Sequence, residues 1–361
     1  MNRFRLYFLG ASLLVTLGAG CIQFGGSKTA LGPSGMYRSS DKGETWAPIV
    51  SLPTAEGVKS MAGVNVFRVF TDPGDANAMY LASRNQGLFF TYNNGSSWSR
   101  SDVLAGKYIY AMAIDPQNKC VIYVSDEGHI YKTSDCTRSW RLIYTEERPS
   151  QRPVSLAIDY ADSNLIYAAL AGGDILKSVD GGTSWRVTKR FGFPVQYLTA
   201  DPFAAKRIYV AAAQKGLFRS DNAGEEWYDM SGNIAGYSGA LNFYRLILHP
   251  SKKANLFWIS KYGILHSEDG GATWKDLQLI TPPGGVNIYA FAVNPQNDKE
   301  MYYTGTILNE KGVPVRSTLY KTVDGGKTWV TKKLPTNTIP VYLYVHVKDG
   351  KVIFLGFTAS T

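Results

Sequence analysis

The sequence predicts an all-β fold, a seven-bladed β-propeller with four-stranded antiparallel blades. Three observations support this prediction: a turn motif that recurs seven times, a constant order of short strands between its copies, and incomplete strand sets at the two ends of the chain. Of the 361 residues, 13% are aromatic and 36 are glycines. This composition suits many short strands joined by turns rather than helices.

The turn motif has the frame Ser/Thr-x-Asp/Asn-x-Gly-x-Ser/Thr-Trp, and we call it the repeated turn. Successive copies lie 42 to 55 residues apart, which is the length of a propeller blade. Its Asp or Asn oxygen can accept backbone hydrogen bonds, its glycine permits a left-handed backbone, and its tryptophan offers apolar surface. We therefore expect a structural turn and no metal site. Its marker residues are Asp41 and Trp46, Asn93 and Trp98, Asp135 and Trp140, Asp180 and Trp185, Asn222 and Trp227, Asp269 and Trp274, and Asp324 and Trp329.

Four strands, labelled A to D, accompany each turn. Strand A ends near an Asp-Pro turn such as Asp201-Pro202, strand C leads into the repeated turn, and strand D begins at its tryptophan. Before the first copy there is room for a strand C at Gly35–Ser39 only, with strand D at 46–50, while 341–347 and 351–357 supply only A and B. We expect the two ends to share one blade, which closes the ring and removes an open sheet edge.

Residues 1–20 are predicted to be a lipoprotein signal peptide. Arg3 and Arg5 precede an apolar run at 6–17 that is too short for a transmembrane helix. Cys21 would then be the lipid-modified first residue of the mature protein. An ordinary secretory signal with an incidental Cys21 is the alternative.

The remaining chain divides into a linker at 21–34 and the propeller at 35–361. Acyl chains would anchor the exported protein to a membrane, so that it faces the periplasm or the cell exterior. The formal charge of +9 comes from basic residues scattered along the chain. Scattered charge indicates a mild surface bias and argues against nucleic-acid binding.

The third repeated turn lacks the glycine and contains Cys136. Cys120 opens strand B of the same blade, and the A–B and C–D turns of an antiparallel blade lie at the same end. Because disulfides persist in exported proteins, we expect a Cys120–Cys136 disulfide that braces this turn. Free thiols are the alternative.

The pattern of chemically active residues argues against catalysis. The four histidines are not spaced as a metal pair, and no serine nucleophile elbow occurs. The loop carboxylates Glu146, Glu147 and Glu310 form no evident pair of the kind a glycosidase needs. We therefore expect a protein that is not an enzyme and has no cofactor or metal.

The repeated turns, with Asp-Pro turns in register, resemble the Asp-box (BNR) family over essentially the whole mature chain. The resemblance is greatest to sortilin-type and photosystem II assembly-factor-type propellers, a group that includes bacterial lipoproteins. The blade pattern is also similar to that of xyloglucanase-type glycosidases. The nearest match to the N-terminal motif of sialidases, at 67–70, lies within a strand A and lacks the proline, so a sialidase is not expected.

The loops opposite the repeated turns are where the sequence varies, and we expect function there. Long loops occur at 229–242 and 304–317, and two neighbouring D–A loops combine basic and aromatic residues typical of interfaces. The predicted partner-binding patch consists of Arg148, Arg152, Lys189, Arg190, Phe191 and Phe193.

The resemblance and this patch together predict a non-catalytic scaffold or assembly factor of the cell envelope. Its partners would be another protein or envelope complex and, through the anchor, the membrane. The alternative is a carbohydrate-binding protein or glycoside hydrolase of the Asp-box propeller type, with a glycan as ligand.

Overall fold

A computed structural model describes residues 33–359 and confirms the seven-bladed propeller. Seven four-stranded antiparallel sheets form the blades, and the A strands of neighbouring blades contact one another around a central channel. Within this range, no helix is both long and apolar enough to cross a membrane. The predicted signal peptide and Cys21 lie outside the described residues.

The two ends of the chain share blade 1, as predicted. N-terminal strand β1 pairs with C-terminal strand β30 over five residues, so that Met36 lies opposite Gly356. Their closure removes the open edge that an incomplete blade would leave. In the order A to D, blade 1 consists of β29 (Ile339–Val345), β30 (Ile353–Thr358), β1 (Gly35–Ser39) and β2 (Ala47–Pro48).

The other six blades each use four consecutive strands, and the B strands of blades 2 to 6 are buried along their whole length. Blade 2 contains β5 (Val66–Thr71), β6 (Met79–Ser83), β7 (Leu88–Thr91) and β8 (Ser99–Arg100); blade 3 contains β9 (Ala111–Ile114), β10 (Ile122–Ser125), β11 (His129–Thr133) and β12 (Arg141–Thr145); blade 4 contains β13 (Pro153–Ile158), β14 (Ile166–Leu170), β15 (Asp174–Ser178) and β16 (Arg186–Arg190). Blade 5 contains β17 (Val195–Ala200), β18 (Ile208–Ala212), β19 (Gly216–Ser220) and β20 (Tyr228–Asp229); blade 6 contains β21 (Phe243–Leu248), β22 (Leu256–Ser260), β23 (Ile264–Ser267) and β24 (Lys275–Asp276); blade 7 contains β25 (Asn287–Asn294), β26 (Asn297–Leu308), β27 (Pro314–Thr322) and β28 (Val330–Lys332).

Two departures from the sequence-based expectation concern connections between strands. The segment after β2 forms an additional hairpin, β3 (Ser51–Thr54) and β4 (Gly57–Ser60), between blades 1 and 2. The predicted loop at 304–317 is instead an extension of the β26–β27 hairpin. The long loop at 229–242 contains a 3-10 helix at Gly232–Gly236.

Each repeated turn is held by its own hydrogen bonds. In the fourth copy, the Ser178 hydroxyl accepts from the Gly182 N–H at 2.8 Å, while the Asp180 carboxylate accepts from the Ser184 N–H at 2.9 Å and the Ser184 hydroxyl at 2.6 Å. In the second copy, the Asn93 amide oxygen accepts the corresponding backbone bond at 3.0 Å. A neutral amide can therefore replace the carboxylate, as a hydrogen-bonding role allows.

The third turn keeps this geometry without its glycine, and the structure bonds Cys136 to Cys120 across it. Cys136 and Thr137 have φ values of 57° and 72°, a region that a β-branched residue such as Thr adopts only under constraint. The disulfide and a backbone bond from Cys136 N–H to the Cys120 carbonyl hold this turn to the A–B turn.

Three tryptophans of the repeated turns join neighbouring blades. Their indole N–H groups donate hydrogen bonds to backbone carbonyls of the segment that ends the preceding blade. Neighbouring blades are therefore coupled by polar as well as apolar contacts. The pairs are Trp98 with Ile49, Trp274 with Met230 and Trp329 with Gln278.

Acidification is expected to destabilise the ring through these turns. Hydrogen bonds, first of all from the hydroxyl four residues on, lower the pKa of Asp41, Asp135 and Asp180 to about 2 from the usual 3.8. Since the folded pKa is the lower one, the stabilisation is present above pH 3.8 and is lost as the pH falls towards 2. Melting temperatures at about pH 5 and about pH 2.5 should differ less for Asp180→Asn than for the wild type. Equal losses in the two proteins would contradict this role.

Candidate functional site: the central channel and its mouth

Bulges near the start of the A strands place one ring of residues at the channel. Six of the seven A strands have a register shift there. A bulge leaves one residue unpaired and redirects the next side chain. The residues that follow the bulge in the six strands are Arg68, Ser155, Tyr197, Arg245, Ala290 and Tyr342.

The channel contains a cavity of about 400 Å³ that both arginines of this ring line. The Arg68 guanidinium donates to the carbonyl of Val154 at 3.2 Å, and that of Arg245 donates to the carbonyls of Tyr289 and Val341. All three acceptor carbonyls belong to residues that the bulges leave unpaired in the sheet. The arginines thus satisfy backbone groups that the bulges leave free.

The loop end of the channel presents an aromatic cluster. The rings of Tyr108 and Tyr110 stack with centroids 4.0 Å apart at 17°, and the ring of Phe67, which lines the cavity, meets Tyr108 edge-on at 5.2 Å. This placement follows from the period-2 alternation of an extended chain. Because Ile109 is fully buried in the core between blades 2 and 3, its two tyrosine neighbours point to the opposite side.

Charged side chains surround these rings. The guanidinium of Arg152 lies 5.0 Å from the ring centroid of Tyr110, and that of Arg84 lies 5.6 Å from the centroid of Phe67. Burial raises the pKa of Tyr110, and the nearby carboxylate of Glu127 adds to the rise. Arg84, Glu127 and Arg152 are exposed. We call Phe67, Arg84, Tyr108, Tyr110, Glu127 and Arg152 the mouth cluster.

The carboxylate next to Glu127 in the chain has a structural role. Buried Asp126 accepts hydrogen bonds from the ammonium of Lys107 at 2.8 Å and from the Tyr131 hydroxyl at 3.2 Å. Its second oxygen accepts the backbone N–H groups of residues 128 and 129. Burial raises the pKa of Asp126, but these bonds outweigh burial and hold it below its usual value. It remains ionised and faces the protein rather than the solvent.

Two carboxylates near the loop face, Glu146 and Asp174, form ion pairs with arginines. The guanidinium of Arg148 bonds to Glu146 at 2.8 Å and to Asp174 at 3.1 Å, and Arg190 approaches Asp174 at 3.7 Å. The bond from Arg148 lowers the pKa of Glu146 to about 2. A carboxyl group held ionised in this way cannot serve as a general acid near neutral pH.

The six residues of the predicted partner-binding patch therefore lie in three environments. Arg148 and Arg190 bind these two carboxylates. The rings of Phe191 and Phe193 are half-buried and pack against Phe218, and Phe191 also against Trp227, in the core between blades 4 and 5, with Lys189 5.6 Å from the Phe191 ring. Arg152 belongs to the mouth cluster.

The rest of the mouth cluster was not predicted from the sequence. The sequence feature that could have revealed this cluster is the alternation Tyr108-Ile109-Tyr110, which lies at the end of a D–A loop, directly before a strand A. Such an alternation also occurs at the start of a buried strand, so periodicity alone could not distinguish an aromatic surface from core packing. The described residues contain no group of three or more His, Cys, Asp or Glu side chains that could hold a metal.

No protein-family model matches the chain. Among curated proteins, it is 26% identical over 265 residues to xyloglucanase Xgh74A of Acetivibrio thermocellus, covering 67% of this chain and 28% of that protein. It is 25% identical over 272 residues to a probable oligoxyloglucan-reducing end-specific xyloglucanase of Neosartorya fischeri, covering 70% of this chain and 32% of that protein. The chain thus spans about a third or less of these relatives.

Solved structures show the same fold. The GH74 xyloglucanase from Xanthomonas campestris superposes with a TM-score of 0.64 at 16% identity, over 82% of this chain and 51% of that one. YCF48 bound to D1 peptide superposes with a TM-score of 0.58 at 15% identity, over 86% of this chain and 95% of that one. At these identities the likeness establishes the propeller and nothing further.

These comparisons correct the functional prediction. We expected a non-catalytic scaffold or assembly factor, and the curated relatives are named xyloglucanases. The fold supports both kinds of function, so the error came from treating the absence of an evident carboxylate pair in the sequence as evidence against an enzyme. The comparisons favour the carbohydrate-active alternative.

Proposed function

We propose that the chain is a carbohydrate-active propeller that binds a β-linked polysaccharide of the xyloglucan type at the mouth cluster. The observation that carries the proposal is the stacked pair Tyr108 and Tyr110 beside Phe67 at the channel entrance. The C–H faces of sugar rings pack on aromatic rings, while arginine and carboxylate groups bond to sugar hydroxyls. Sequence similarity to xyloglucanases supports this ligand class.

Hydrolysis of the bound glycan is the activity that the relatives' names suggest. Cleavage of a glycosidic bond normally uses two carboxyl groups about 5–10 Å apart. Among Asp126, Glu127, Glu146 and Asp174, Glu127 is the one with no described ion pair or hydrogen bond, and we assign it the acid–base role. Carbohydrate binding without cleavage is the second candidate, favoured because the other three carboxyl groups of this set are neutralised.

Such a ligand would be met outside the cytoplasm. The proposed function therefore agrees with an exported protein, and the lipid anchor at Cys21 would hold the propeller close to a membrane surface.

The test is to incubate the purified chain with xyloglucan and measure both binding and the release of reducing ends. Glu127→Gln should lower the rate of release at least about 100-fold, the usual share of general acid–base catalysis, with little change in affinity. Glu310→Gln, at the exposed tip of the β26–β27 hairpin, is the matched control and should behave as the wild type. Binding without release would select the second candidate, and the absence of both would reject the proposal.

A further inference from the structure

We propose that the channel cavity between Arg68 and Arg245 binds a small organic carboxylate, of the size and chemistry of a uronic acid residue. The inference does not depend on the proposed function at the mouth cluster. It rests on the charge, hydrogen-bonding capacity and volume of the cavity.

The charge of the cavity is uncompensated. Two guanidinium groups line it, and no carboxylate is found among the side chains that line the channel in the described part of the chain. Burial, together with the charge of Arg68, lowers the pKa of Arg245 to about 10, and burial also lowers that of Arg68. Both groups still remain protonated at neutral pH. Both side chains are half-buried, and a cation withdrawn from water is normally paired with an anion.

Each guanidinium keeps N–H groups free for a ligand. Arg245 uses two of the five N–H donors of a guanidinium for protein carbonyls, and Arg68 uses one. These groups are the donors that a carboxylate accepts in charge-assisted bonds.

The volume favours an organic ligand over an inorganic anion. At about 400 Å³ the cavity lies within the range of small-molecule sites, which is roughly 300–1,000 Å³. The aromatic side chains of Tyr197, Phe243 and Tyr244 contribute apolar wall. A carboxylate on a sugar-sized body would use the arginines and this wall together, whereas a bare oxyanion would contact the arginines alone.

Calorimetric titration of the full chain with glucuronate, glucose and inorganic phosphate tests the inference. Glucuronate should bind and raise the melting temperature, and its affinity should fall as salt is added, because the pairing is electrostatic. Glucose should bind at least about tenfold more weakly, since it lacks the charge. Equal binding of glucose, or phosphate binding as strong as that of glucuronate, would overturn the inference.

Substitutions locate the site. Arg245→Met and Arg68→Met should each weaken glucuronate binding at least about tenfold, while Arg100→Met, on exposed strand β8, should not. Unchanged affinity in both channel variants would overturn the proposal. The arginines also bond to backbone carbonyls, so if a variant fails to fold, the comparison of the three ligands on the wild type decides alone.

Discussion

Joint replacement of Tyr108 and Tyr110 by alanine is expected to weaken the binding of a xyloglucan oligosaccharide about 30-fold or more. Tyr108 should contribute about 1–2 kcal/mol through apolar area and ring-face contacts, Tyr110 contributes by supporting that ring from behind, and each 1.4 kcal/mol is a tenfold change in affinity. The two rings stack on each other, so the loss of both removes the whole platform. Isothermal titration calorimetry measures the change.

A matched control and a fallback variant keep this test decisive. Tyr228→Ala removes an exposed ring on the outer strand of blade 5, where it is 49% exposed, and should leave the affinity unchanged. Tyr110 is largely buried, whereas Tyr108 is half-buried. If the double variant is unstable, Tyr108→Ala alone should still reduce affinity about five- to tenfold. Wild-type affinity in a folded double variant would place the binding site elsewhere.

Gly87→Ala is expected to destabilise the protein by about 2–5 kcal/mol and to abolish binding at the mouth. A Cβ at this position would lie 2.2 Å from the backbone oxygen of Leu104, and the residue has φ +85°. The strain of a left-handed alanine and the clash with main-chain atoms add together. Gly87 donates its N–H to the carbonyl of Lys107, so the displaced segment is the one that carries Tyr108.

A second glycine, Gly106 in the β8–β9 loop that Gly87 contacts, separates the two causes. Gly106 has φ +73° with nothing within 4 Å of an added Cβ. Gly106→Ala should therefore cost only the backbone strain of about 1–2 kcal/mol and keep glycan binding. Urea denaturation of both variants gives the comparison. A Gly87→Ala variant as stable as Gly106→Ala would show that the loop can move away without loss.

The repeating part of the molecule could be predicted from the sequence because its causes are local. Six of the seven turns are fixed by a hydroxyl, a side-chain acceptor and a glycine within eight residues, as in the bonds of Asp180. Counting the turns counts the blades, and the incomplete strand sets at the two ends predict the shared blade that β1 and β30 form. The additional β3–β4 hairpin escaped prediction because no other blade repeats it.

The candidate site could not be predicted because its causes are distant along the chain. Phe67, Tyr108 and Arg152 belong to three consecutive blades or the loops that lead into them, and they meet only when these blades pack together. The arginines of the channel lie inside otherwise apolar A strands. Their side chains are oriented by β-bulges, which could not be predicted from the sequence. Conversely, Phe191 and Phe193 resembled a surface patch in the sequence but pack between two blades.

The most direct test of the central claim is a crystal structure of the protein with a xyloglucan oligosaccharide. Our account predicts sugar rings packed against Tyr108, Tyr110 and Phe67, with hydroxyls bonded to Arg84, Arg152 or Glu127. An oligosaccharide bound on the face of the repeated turns or along the outer strands, with the mouth cluster unoccupied, would contradict it.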